Sequence, residues 1–183
     1  MTADVAQAQA KRIFEPANVE ELLRGWVLHA HKGRDRHDEA ARRSDRYRYW
    51  LGVPAIVLAA VVGTSVFASM QTNVEAAPRI VIGLISFTAS ALASLQTFYN
   101  FADRSEKHRL AGARYKAIIR ELEQVLAEPI EQVQGKGDYL ADLRKRLDDL
   151  ELEAPVVPEG IYLRIERRYA QVRFTEQAGE LVP

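Results

Sequence analysis

Four histidines, His29, His31, His37 and His108, are the only side chains in this 183-residue sequence that titrate near neutrality, and with no cysteine present no thiolate could join them on a metal. A metal centre needs ligands gathered on one face. His29 and His31 are two apart and point to different sides of a helix, so the spacing argues against metal, and all four read as solvated or headgroup-level imidazoles. The missing cysteine also removes disulfides, thiolate catalysis and Cys-based zinc or iron–sulfur chemistry. No nucleophile elbow, phosphate-cradling glycine loop or paired acid–base motif occurs, so neither catalysis nor a resident cofactor is expected. The 25 basic and 25 acidic residues interleave, which leaves no basic face for nucleic acid.

A different chemistry lies in "IVIGLISFTASALASLQTFYNF", residues 80 to 101, an uncharged run that nonetheless carries three Ser, two Thr, Gln96 and Asn100. At 100° per residue, Gly83, Ser86, Ser90, Ser94 and Thr97 fall within an arc of roughly 80°, with Leu84, Ala91, Leu92, Leu95 and Phe98 on the other side. Thr88 and Gln96 lie off the stripe. Two uses fit such a stripe. Small residues let helix backbones approach, and Ala55, Ala59 and Gly63 in the preceding apolar run would offer a matching face at intervals of four. Alternatively, the hydroxyls hydrate a pore wall along an oligomer axis without burying charge. Gln96 and Asn100 add hydrogen-bonding groups suited to an aqueous cavity or to contacts between helices.

The elements that carry these residues follow from charge spacing. Residues 49–74 and 80–102 are free of charge, 26 and 23 residues against the roughly 20 that a spanning helix needs. Transmembrane helices are therefore expected over 49–70 and 80–102, joined by a short external loop, 71–79. That loop forces an antiparallel hairpin. Seven Lys/Arg in residues 29–48 and six in 103–122, against one in the loop, place both termini in the cytoplasm. "RRSDRYRYW", just before the first span, reads as the topology signal with its Tyr/Trp belt.

Outside the spans, residues 1–14 read as a polar tail and 15–48 as a helical region. Asn18 is the expected N-cap with Glu21 completing a capping box, and Gly33 a break or bend. After the second span a helix over 103–128 is expected to continue straight out of the bilayer to Pro129. Its residues Ala111, Tyr115, Ile118, Leu122 and Val125 form a coiled-coil-type seam proposed for assembly. "GKGD" reads as a turn with Asp138 capping a helix over 138–153 that repeats Leu140, Leu143, Leu147 and Leu150. A last amphipathic helix, 158–174, carries Ile161, Leu163, Ile165, Tyr169 and Val172, and 175–183 is a tail. The fold class expected is an all-α membrane protein: a two-helix transmembrane hairpin on a cytoplasmic helical bundle, oligomeric because narrow seams make a thin core for one chain.

This layout, together with "SEKHRLAGARYKAIIRELEQVL" and "PVVPEGIYLRIERRY", resembles the SLATT family, the two-transmembrane effector domains associated with SMODS and SLOG proteins. The likeness covers about residues 16 to 174, and His108 to Tyr115 is its most specific part. It implies a bacterial inner-membrane effector of an anti-phage conflict system that oligomerises and opens a pore. The trigger would be a separate sensor protein or a nucleotide second messenger. The rival expectation is a non-conducting membrane anchor that recruits a soluble partner.

Overall fold

The computed structural model describes residues 16–69, 76–129 and 137–170, and every regular element among them is an α-helix. The expected tails 1–14 and 175–183, most of the 71–79 loop, the start of the "GKGD" turn and Val172 lie outside the described residues.

The first helix, α1, runs without interruption over Val19–Ser69, 51 residues. Its start follows from Asn18, whose Oδ1 accepts the Glu21 N–H at 2.8 Å, while the Glu21 carboxylate accepts the Ala17 N–H at 2.8 Å. This is the expected capping box with its return bond displaced by one residue, and Glu20 and Glu21 sit at the positive end of the helix dipole. Gly33, expected to break the helix, does not. It serves another need: a Cβ there would lie 2.5 Å from Cζ of Tyr115, so the missing side chain admits a tyrosine ring. Pro54 is also accommodated within α1, at the loss of one backbone donor.

Helix α2 spans Ala76–Tyr99, beginning four residues before the expected Ile80, and α3 spans Phe101–Leu126. The two do not form the single straight helix expected. Asn100 between them is left-handed, φ 43° and ψ 53°, a conformation asparagine tolerates better than most residues. The hydrogen bonds Asn100 N–H to Gln96 O and Arg104 N–H to Asn100 O, both 3.1 Å, bridge the joint. Along α1 the partners on α2 and α3 come in reverse order: Gly33 meets Tyr115, His37 meets His108, Ala41 accepts from Ser105, and Gly52 meets Gln96. The helices therefore run antiparallel over these residues.

Helix α4, Gly137–Glu153, places Asp138 in its first turn rather than at the cap, and α5 covers Glu159–Tyr169. The main core joins Leu23, Val27 and Ala30 of α1, Tyr115, Ile118, Ile119, Leu122 and Val125 of α3, and Leu143, Leu147 and Leu150 of α4, with Leu140 packed at its edge. Each Leu, Ile or Val side chain so removed from water contributes about 1.5–3 kcal/mol. Helix α5 buries Ile161 and Ile165 against Ala40, while Leu163, two residues from each, is turned out and 44% exposed.

Candidate functional site

Two helices are long and apolar enough to cross a membrane, and their most apolar 18-residue windows have mean hydropathies of 1.8 and 1.6. Only 11% and 6% of those windows are buried within the chain, so most of their greasy surface is left uncovered by the protein itself. Where α1 and α2 meet, the shielded residues are Leu51, Gly52, Ala55, Leu58, Val62 and Ser65 against Ile82, Ile85, Ser86, Ala89, Leu92 and Gln96. Both sets repeat at three and four, the spacing of knobs-into-holes packing. Gly52 lets the Gln96 amide lie close, since a Cβ would fall 3.0 Å from its Nε2.

This contact differs from the expected one. Of the small face Ala55, Ala59 and Gly63, only Ala55 is buried; Ala59 and Gly63 are exposed, and a Cβ on Gly63 or Gly83 would touch nothing within 4 Å. Ser86 is half-buried at the edge of the contact, and Ser90, Ser94 and Thr97 are exposed. The stripe thus stands beside the α1–α2 contact. Ala59 and Gly63 follow their buried face by about a quarter turn, as Gly83, Ser90, Ser94 and Thr97 follow theirs. In an antiparallel pair equal offsets fall on the same side. One flank of the pair therefore carries the hydroxylated stripe of α2 beside Ala59, Gly63 and the exposed Ile56 of α1, and the other carries Trp50, Val57, Val61, Leu84 and Leu95. The Ser94 and Thr97 hydroxyls donate to Ser90 O at 2.8 Å and Ala93 O at 3.0 Å, which leaves their oxygen lone pairs facing outward.

All five seam residues, Ala111, Tyr115, Ile118, Leu122 and Val125, are buried inside one chain. Within one chain their face is filled by α1 and α4. The seam also continues upstream to a polar pair. His37 and His108, 4% and 5% exposed, face each other with Nδ1 to Nδ1 at 2.9 Å, and the Tyr115 ring stacks on His37 with centroids 5.7 Å apart. Two neutral rings make this bond only as opposite tautomers, one donating from Nδ1–H and the other accepting. Burial, then the neighbouring His108 and Arg36, push His37 down to about 4 against the pull of Asp38. Burial and Arg104 lower His108. Burial and the Glu151 charge raise the Tyr115 phenol to about 12, so it stays neutral.

The solvated reading therefore fails for this pair. His29 alone matches it, half-exposed and paired with Glu151; His31 is mostly covered, 3.9 Å from Glu123, and is lowered by burial and by Arg34. Among the described residues no three His, Asp or Glu side chains gather as a metal site.

No family model, characterised protein or solved structure matches the chain. Its chemistry rests on its own geometry: the hydroxyl flank, the buried pair below it, and a clasp holding α5. In the clasp, Lys32 donates to Glu166 at 3.0 Å, Arg36 pairs with the same carboxylate and lies 4.0 Å over the Tyr162 ring, and the Tyr169 hydroxyl donates to Asp35 at 2.9 Å. The pair left a trace in the sequence, because His108 stands three residues before Ala111 and extends the seam's spacing. The clasp left none, its partners being more than a hundred residues apart.

Proposed function

We propose that the chain is an oligomeric membrane effector whose two apolar helices form a transmembrane hairpin and whose second span lines a gated pore. The observation that carries this reading is the asymmetry of the helix pair. Gly83, Ser90, Ser94 and Thr97 of α2 stand uncovered within one chain beside Ala59, Gly63 and the exposed Ile56 of α1, while the flank of Trp50, Val57 and Leu84 suits lipid. Copies arranged around an axis would turn the hydroxylated flank inward, where outward-facing hydroxyl lone pairs solvate water and cations better than anions. The concentration of Lys/Arg on both sides of the spans supports cytoplasmic termini. The SLATT likeness supports a role in bacterial defence at the inner membrane, triggered by a separate sensor or a nucleotide.

The test is ion or dye flux from liposomes holding the purified chain, with its oligomeric state measured in the same detergent. Ser90→Leu/Ser94→Leu is expected to abolish flux while leaving assembly intact, and undiminished flux in that variant would remove the pore assignment. A second reading draws on the self-contained bundle, whose seam is filled from within and so needs no copy. A non-conducting anchor of that kind keeps its activity when residues 49–102 are exchanged for an unrelated two-span segment; a pore loses it.

A further inference from the structure

At the elbow between α2 and α3 a cleft of about 580 Å³ opens among Phe98, Tyr99, Arg104, Lys107, His108 and the Pro155–Val156 linker. Its lining combines two chemistries. Arg104 and Lys107, three apart on α3, contribute cations, with Asp103 and Asn100 beside them. Lys107 has only an exposed partner, Asp103 at 2.8 Å, and a pair of that kind is weak. Arg104 has no ion-pair partner among the described residues and acts electrostatically on His108. The lining also holds open apolar groups: Phe98 is 81% and Val156 93% exposed, values that water alone does not favour for such side chains. Around the elbow, Tyr99 stacks on Phe101 at 5.4 Å and Tyr47 tilts against Phe101 at 5.6 Å. Aromatic clusters of this kind, where an apolar helix turns charged, sit at headgroup depth.

We propose that this cleft binds the phosphate headgroup of an anionic phospholipid from the leaflet next to the helical bundle. The inference rests on the membrane reading given above. Arg104 and Lys107 take the phosphate, and the first acyl carbons lie along Phe98 and Val156. A free phosphate would satisfy the cations and leave those apolar groups uncovered, so the amphiphile is the better fit to both. Asp103, beside Lys107, disfavours a second negative charge and so suits a phosphodiester with one. The left-handed Asn100 lies between the aromatic end of α2 and the cations of α3, and the linker lines the same cleft.

The experiment uses the full-length protein in neutral detergent, titrated with dioleoylphosphatidylglycerol, dioleoylphosphatidylcholine, glycerol 1-phosphate or inorganic phosphate, and read by thermal stabilisation and by lipid retained in native mass spectrometry. Wild type is expected to prefer the phosphatidylglycerol. Arg104→Gln and Lys107→Gln should each weaken its apparent affinity about fivefold, as expected for one cation near an anionic headgroup. Arg114→Gln/Lys145→Gln, which removes two charges elsewhere on the bundle, should not. Equal retention of both lipids, or equal weakening by the remote charges, overturns the proposal. Stabilisation by glycerol 1-phosphate or inorganic phosphate that matches the lipid's overturns the lipid source. Alkaline extraction of cell membranes separates the two levels. A chain released by carbonate refutes the membrane reading, whereas one that stays but shows no headgroup preference refutes only the cleft.

Discussion

Acidification should unfold the helical bundle through the buried histidines before it reaches the carboxylates. His37 ionises at about 4 in the folded chain against 6.5 when exposed, so the unfolded chain binds the extra proton first. The sign follows from linkage: a lowered histidine contributes stability that is fully present above about 6.5 and is lost as pH falls toward the folded value. The difference of about 2.5 pH units corresponds to roughly 3 kcal/mol for His37. His108 and His31, also lowered, act in the same direction. The hydrogen bond explains why a second proton is resisted. One proton leaves a donor facing an acceptor, whereas two put N–H against N–H among Arg36 and Arg104. The paired carboxylates act in a lower window. The Arg42 hydrogen bond holds Glu39 below its ordinary value; burial would raise Glu166, but Lys32 and Arg36 outweigh it. Both therefore lose their contribution only below about pH 4.5. The assay is thermal unfolding of the full chain in detergent, followed by Trp26 fluorescence in a Trp50→Phe background, from pH 7.5 to 4.5. Wild type should lose up to about 1.4 kcal/mol per pH unit for each proton taken up. His37→Asn/His108→Asn keeps a donor and an acceptor near the Nδ1 positions, is less stable at pH 7.5, and should lose less than half as much between pH 6.5 and 4.5. An unchanged pH dependence in that variant would refute the assignment.

The close crossing of α1 and α3 makes a graded prediction. Gly33→Ala pushes a methyl against a ring held by the core and should cost about 1–3 kcal/mol, while Gly112→Ala meets only the Asp38 carboxylate, at 2.6 Å, which can swing away, and should cost less; denaturant midpoints of the two variants check the order. The clasp on α5 depends on one carboxylate, so Glu166→Gln should weaken docking by about 1–2 kcal/mol. Faster hydrogen exchange confined to residues 159–169 is the expected result, and uniform acceleration across the bundle would argue against a local clasp.

The parts of the fold legible in sequence were those announced by one residue type repeating at short range. Tyr115, Ile118, Leu122 and Val125 declare a buried face by spacing alone, as do Leu143, Leu147 and Leu150, and the uncharged runs declare two apolar helices. What stayed hidden depends on residues distant in sequence. Gly33 looks like a breaker until Tyr115, eighty-two positions on, needs its space. His37 and His108 look solvated because polarity is visible and a partner seventy-one positions away is not. The stripe at Gly83, Ser86, Ser90, Ser94 and Thr97 was visible, but small residues do not reveal whether a neighbour covers them. The same holds for Ala59 and Gly63. Asn100 was visible as a polar residue near a span end, and its tolerance for left-handed backbone was the unused clue.

Mechanically, the molecule pairs a shaft with a jointed arm. At 1.5 Å per residue, the 51 residues of α1 make a rod about 77 Å long, weakened only by the one donor missing at Pro54. A 10° tilt of such a rod about its midpoint carries each end roughly 7 Å in opposite directions. Torque applied to its lower half arrives at its upper half almost undiminished. The second arm is built differently: at Asn100 its backbone leaves the right-handed helical region, and the hydrogen bonds from Asn100 to Gln96 and from Arg104 to Asn100 tie the two pieces across the break. Of the two apolar helices, the one bearing the hydroxyls thus joins the bundle through a break in helical backbone, and the other runs into it unbroken.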